Sequence, residues 1–285
     1  MTFKPLTELI NDAIDAGKVY LPVYPAVAHQ VDTVLSHGHR DTATLAKLIS
    51  HDPVLACSLF RAANSSFYQG LHKVLTIDEA MTRIGMERTV EVIEGACRDG
   101  ELCPQGRLIP RYLPALWQQA LGCALGAHWL AHRCGYQALA EQAHLAGLLH
   151  DIGKLYLLAT LEQISTCAGI DTVLADQLVE EVLENMHVEL GLRLIDDWHL
   201  PNAFAVAVGR HHQAGLDAQE LMVALVELAN KGCRKVGLGR ESDPHLVLPT
   251  TAEAQFLGID EISLAEYEIM LEDRFGLAPV MGKSP

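Results

Sequence analysis

The stretch "LAGLLHDIGKL", Leu145–Leu155, ends an apolar helical run on an adjacent His150–Asp151 pair. Just upstream, Leu139, Ala143, Ala146 and His150 recur at i, i+4, i+7 and i+11, so His150 closes an inward-facing helical row. Two neighbouring residues cannot hold a metal alone, so the pair takes its meaning from the rest of the chain. Downstream, Leu174, Leu178, Val182, Met186, Leu190, Leu194 and Trp198 form one i+4 row. The row beside it, Leu183, His187, Gly191 and Ile195, turns His187 into packed structure as well. His211 and His212 follow Phe204 and Val208 at helical spacing, so at least one of them faces inward. A buried imidazole left without a partner costs about 1–3 kcal/mol. The set therefore calls for a metal or for a network of hydrogen bonds. Neutral imidazole and carboxylate suit iron, manganese or zinc.

Working outward, helix signals dominate the whole chain. The 285 residues are 49% hydrophobic, enough for one large core or two modest ones, and only 6% aromatic. No alternating apolar run bounded by turn residues reads as a strand. Asp52 and Pro53 are placed to start one helix, and Thr76 with Glu79 has capping-box spacing, as does Ser263 with Glu266. Gly135 is placed to end a helix. The segment "DGELCPQGRLIPRYLP", Asp99–Pro114, concentrates glycine and proline and reads as a break. The expected fold is all-α: an N-terminal helical lobe, residues 1–103, packed on a second helical lobe with a C-terminal helical tail, residues 104–285. In that tail Leu264, Tyr267, Met270 and Leu271 make an apolar face.

Composition excludes several classes. The formal net charge of −15 repels phosphate backbones, and no basic patch offsets it, so direct nucleic-acid binding is not expected. No apolar run reaches the ~20 residues that cross a bilayer, and the acidic N-terminus is not a signal peptide, so a cytoplasmic protein without membrane contact is expected. Seven scattered cysteines, none in a CxxC pair, read as reduced thiols. His128 and His132 stand at i, i+4, a zinc-capable spacing, but with no third ligand near in sequence they read as helix surface.

Several motifs, in order, carry a resemblance. "GLLHDIGK" resembles the signature of the HD superfamily of metal-dependent phosphohydrolases. "LPVYPAVA" (Leu21–Ala28), "LISHDPVLACSLFRAANSSFY" (Leu48–Tyr68), "TIDEAMTRIGMERT", "HVELGLRLIDDWHLP" and "GRHH" are more narrowly similar to the HDOD domain, a family of bacterial signalling modules related to HD and HD-GYP proteins. The resemblance implies a helical N-terminal lobe on a degenerate HD-like lobe. It also implies ligand positions. In active HD enzymes an upstream histidine, the HD pair and a downstream aspartate hold a first metal. Here "LWQQAL" sets Gln119 in the upstream slot and "ELANKG" sets Asn230 in the downstream one. His187, His211 and His212 resemble second-metal positions of the two-metal HD-GYP relatives, with Asp151 as the bridge.

Gln and Asn amides bind hard cations weakly, so half of the first site is missing and hydrolysis is poorly supported. No catalytic residue is assigned. The implied metal ligands are His150, Asp151, His187, His211 and His212, for one transition metal. The expected function is a signalling or scaffold module that acts through protein partners, with room for a metal or small nucleotide ligand in the old pocket. The alternative is a metal-dependent phosphohydrolase acting on nucleotides or cyclic dinucleotides.

Overall fold

The computed structural model describes residues 4–17, 19–36, 41–68, 72–104, 106–167, 174–211 and 220–276. Among the described residues there is no strand. The helices in order are α1 (Leu6–Asp15), α2 (Pro25–Ser36), α3 (Thr42–Ser50), α4 (Pro53–Ala63), α5 (Ile77–Ile84), α6 (Met86–Glu101), α7 (Leu108–Arg133), α8 (Ala140–Leu149), α9 (Ile152–Cys167), α10 (Asp176–Asp197), α11 (Asn202–Arg210), α12 (Leu221–Lys235), α13 (Ala252–Leu257) and α14 (Glu261–Phe275). The all-α expectation holds. The chain forms two compact units, each built from two segments: Met1–Pro114 with Asp151–Ala205, and Ala115–His150 with Val206–Pro285.

The first unit is organised by α4, which packs on α3, α5 and α6. Asp52 starts it: its Oδ1 accepts from Val54 N and Leu55 N at 2.9 and 3.1 Å, and Pro53 takes the first helical position. The other oxygen accepts from Tyr24 N at 2.9 Å, which ties the "LPVYPAVA" segment to the same cap. Burial pushes this carboxyl up to about 6, against the three N–H donors that pull it down. Phe60 meets Phe204 edge-on at 5.7 Å, and both are fully buried.

In the same unit α9 lies along α10. Gly153 makes that approach possible, because a Cβ there would run into the carbonyl oxygen of His187. Glu162, on α9 and fully buried, accepts from Leu108 N at 2.9 Å and Ile109 N at 3.3 Å. It thus satisfies donors in the first turn of α7, where a carboxylate also meets the positive end of the helix dipole.

The second unit is built on α12, which packs on α8, α13 and α14. Tyr267 of α14 is fully buried, stacks on Trp129 at 5.7 Å and donates to Ala229 O at 2.9 Å. The tail therefore packs through Leu264, Tyr267 and Leu271, while Met270 is half-buried.

Two local expectations are corrected. The Asp99–Pro114 stretch is not one long break: α6 continues to Glu101 and α7 starts at Leu108. Pro110 lies in the first turn of α7, where its missing N–H costs nothing, although Pro114 lies deeper in the helix. Ser263 is not a cap either. Asp260 holds that role, accepting from Ser263 N at 2.8 Å and from the Ser263 hydroxyl at 2.9 Å. Asp52, Thr76 and Gly135 act as expected: Thr76 Oγ1 accepts from Glu79 N, and Gly135 takes φ +84 just past α7.

Candidate functional site

Each polar position begins with helix geometry. In the first unit, Asp151 opens α9 and His187 lies mid-way along α10, on the Leu183–His187–Gly191–Ile195 row, every member of which is buried. His187 Nε2 is 3.4 Å from Asp151 Oδ1, and the residues are 1% and 8% exposed. The remaining Asp151 oxygen, Oδ2, faces Lys154 Nζ at 3.1 Å, one turn along α9. Lys154 also reaches Glu184 Oε1 at 3.1 Å, one turn before His187 on α10. Burial pulls the Lys154 ammonium down, but Asp151 and Glu184 together outweigh it and hold the group above its ordinary value.

Lys154 and Glu184 did not stand out in the sequence as site residues. The signal was the i+3 spacing of Lys154 from Asp151 inside "HDIGK".

In the second unit His150, fully buried, meets His211 with ring centroids 5.2 Å apart and rings perpendicular. His212 lies outside the described residues. Gln119 and Asn230, 6% and 5% exposed, face each other: Gln119 Nε2 donates to Asn230 Oδ1 at 2.9 Å. Gly239 lets the chain pass over this pair. It has φ +92, and a Cβ there would sit 2.7 Å from Gln119 Oε1.

His150, His187 and His211 share one hydrogen-bond pattern. The Nδ1 atoms of His150, His187 and His211 lie 2.7, 2.9 and 2.8 Å from the carbonyls of Gly147, Glu184 and Val208, each three residues earlier on its helix. A carbonyl can only accept, so Nδ1 carries a proton in each. A histidine that donates one ring N–H to a backbone carbonyl is oriented as metal-ligating histidines are.

The donor set around His187 and Asp151 suits a single transition-metal ion. Gln119 and Asn230 are engaged with each other and bring no charge.

The positions outside this set are also placed. Asn64 ends α4 and accepts from Val74 N at 3.2 Å, so "RAANSSFY" terminates a helix. Arg61 lies over the Trp198 ring at 5.4 Å. Among the described residues no helix is long and apolar enough to cross a membrane.

Comparison with known proteins agrees with this architecture. A curated relative, an uncharacterised protein of Treponema pallidum, is 25% identical over 240 residues, which cover 80% of this chain and 44% of the relative. The chain thus spans less than half the length of that relative. Among solved structures, the MmoQ response regulator of Methylococcus capsulatus superposes with a TM-score of 0.68 at 22% identity, covering 87% of this chain and 97% of its own. A virulence factor of Campylobacter jejuni reaches 0.61 at 13% identity, covering 94% and 99%. At these identities the likeness is one of fold. The HDOD domain model matches residues 21–214, which include α2 to α11 and the polar residues from Gln119 to His212. The chain belongs to the HDOD domain family.

Proposed function

We propose that this chain is a non-hydrolytic regulatory module that works through contacts with protein partners in a signalling pathway. The observation that carries the reading is the buried hydrogen bond between Gln119 and Asn230. Two neutral amides that satisfy each other can be sealed in a core at little cost, whereas a metal-activated water needs charged or imidazole ligands aimed at it. The response-regulator description of MmoQ supports placing this chain in a signalling context, as part of the proposal.

A second reading is favoured by the Nδ1–carbonyl hydrogen bond of His187, which orients its ring toward Asp151. It places one iron, manganese or zinc ion on Asp151 and His187. Such an ion would serve as a sensor or structural element.

The test is hydrolysis of a model phosphodiester and of a cyclic dinucleotide by untagged protein loaded with Mn(II) or Fe(II). The expected result is no turnover above that of a His187→Ala variant. Turnover that disappears in that variant would establish the phosphohydrolase instead. Elemental mass spectrometry on the same samples decides between the first two readings. About one metal per chain, lost in the variant, supports the second.

A further inference from the structure

In the first unit α2 packs on α6, and a trench of about 730 Å³ runs along the pair. The residues of α2 that line it extend from Pro25 to Ser36, the whole helix, or about 16 Å at 1.5 Å per residue. Those of α6 extend from Glu94 to Glu101. The floor is apolar and buried: Val23, Val31 and, from the first turns of α7, Ile109 and Leu113. The charged groups stand on the rim, with Asp32, Arg98 and Glu101 exposed and Glu94 half-buried. The floor is held in place from two sides. Gly100 lets α6 press onto the segment that enters α2, where a Cβ would lie 3.1 Å from Val23 N. The same segment is tied to the start of α4 by the 2.9 Å bond from Tyr24 N to Asp52.

Resting on the reading of this chain as a partner-binding module, we infer that the trench docks a basic amphipathic helix of a partner protein. A small-molecule pocket aims buried polar groups at its ligand, and here no charged residue of the lining is buried. An elongated apolar floor between helices, charged only at its edges, fits a helix laid lengthwise and anchored by apolar residues at i, i+3 or i+4, and i+7. Three turns of such a helix are about 16 Å long, the length of the α2 wall. The rim selects the sign of the partner. One guanidinium meets three carboxylates there, and Arg98 leans toward Glu94 at 3.8 Å, so the edge is negative. Lysine or arginine flanking the apolar stripe meets Asp32 on α2 and Glu94 and Glu101 on α6, while an acidic helix is repelled. The Cys97 thiol in the wall feels the same field. Burial first, then Asp52 and Glu101, push it up to about 11, with Asp32 adding and Arg98 opposing.

The experiment is fluorescence anisotropy of the untagged full chain with labelled peptides of about 14 residues in ~0.15 M salt. The probe carries leucines at i, i+3, i+4 and i+7 of one face and lysines beside them. It is expected to bind with a dissociation constant tighter than about 50 μM. A scrambled peptide of equal composition, and a version with glutamate for lysine, should each bind at least ~10-fold more weakly. Asp32→Lys combined with Glu101→Lys should weaken the probe ~10-fold and strengthen the glutamate version. Glu181→Lys combined with Glu189→Lys makes the same change in net charge on exposed positions of α10, outside the trench. It should alter binding less than about 2-fold, since charges beyond the ~8 Å Debye length are screened. Leu35→Gln, at the half-buried edge, removes apolar contact without adding charge and should also weaken the probe, with circular dichroism confirming the fold of each variant. No binding tighter than about 500 μM, equal affinity for the probe and its scrambled form, or equal losses in the two double variants overturns the docking site. The reading beneath it fails separately: hydrolysis that disappears in His187→Ala overturns the non-hydrolytic module, and the peptide data alone decide the trench.

Discussion

Replacing Lys154 by methionine tests the charge balance of the polar centre. The substitution removes an ammonium 3.1 Å from Asp151 Oδ2 and 3.1 Å from Glu184 Oε1 and keeps most of the stem. Asp151 is only 8% exposed, so its carboxylate cannot recover the lost interaction from water. Removing one partner of a buried pair costs roughly 3–5 kcal/mol, mostly for the charge left behind. The Glu184 side chain is 42% exposed and regains hydration, so its share is small and the lower end, about 3 kcal/mol, applies. For a unit of this size, that lowers the melting temperature by roughly 6–12 °C near neutral pH. The assay is differential scanning calorimetry of wild type and Lys154→Met across pH. The sign follows from Lys154 being raised above its ordinary 10.5. Its stabilisation is fully present below that value and fades as pH rises through the higher folded-state value. The gap between the two proteins should therefore stay level from pH 7 to about 10 and narrow above that. A drop under about 2 °C at pH 7 would show that Lys154 does not compensate Asp151, and the charge argument would fall.

Four other substitutions probe the frame. Glu162→Gln keeps one acceptor but sets an amide N–H₂ against the two N–H groups that start α7, and should cost about 2 kcal/mol by denaturant midpoint; a neutral result would mean those donors find water. Gly153→Ala drives a methyl into the His187 carbonyl and should lower the melting temperature by more than 5 °C, roughly 2 kcal/mol, unless α9 and α10 can part freely. Asp52→Ala strips three N–H groups of their acceptor, including Tyr24 N, and should cost about 3 kcal/mol, more than the ~1 kcal/mol of an ordinary N-cap. Gln119→Met alone should destabilise by about 2 kcal/mol, because Asn230 loses its donor. Gln119→Met with Asn230→Leu should recover most of that, and additive losses would show that the amides do not act as a pair.

Much of the fold could be read from periodicity, because α-helices write their buried face into the chain every three to four residues. The row through His187 is buried at each position, and Asp52, Thr76 and Gly135 do what their residue types suggest. Legibility failed where an element is finished by a residue far away. The start of α7 follows proline and glycine signals that look like a loop, and the acceptor that satisfies it is Glu162, more than fifty positions on. Local pattern cannot contain that bond. Amphipathic rows also overreach: Leu178 sits on the predicted apolar row of α10 and is 38% exposed. Among the polar residues, the helical face of each histidine was legible, but its neighbours were not. Lys154 lies in the signature itself, yet its role depends on Glu184 from another helix. His128 and His132 looked isolated until α8 set Glu141 and His144 beside them.

The two buried polar groups are built in opposite ways, and that contrast bears on the proposed function. At Gln119 and Asn230 the chain carries neutral groups that close on each other, a solution any stable core can tolerate. At Asp151, Lys154 and His187 it carries charge and imidazole at 8%, 4% and 1% exposure. Stability does not require the second arrangement, since well-packed apolar residues of similar volume commonly serve as well as a buried ion pair. On the reading proposed above, a cation or an anion would act at this carboxylate, with an imidazole 3.4 Å away and an ammonium beside it, by displacing or recruiting Lys154. A ligand that does so changes the charge shared between α9 and α10 at the glycine contact where they touch. Under the proposed function, binding at that point would have a direct mechanical route into the packing of the first unit.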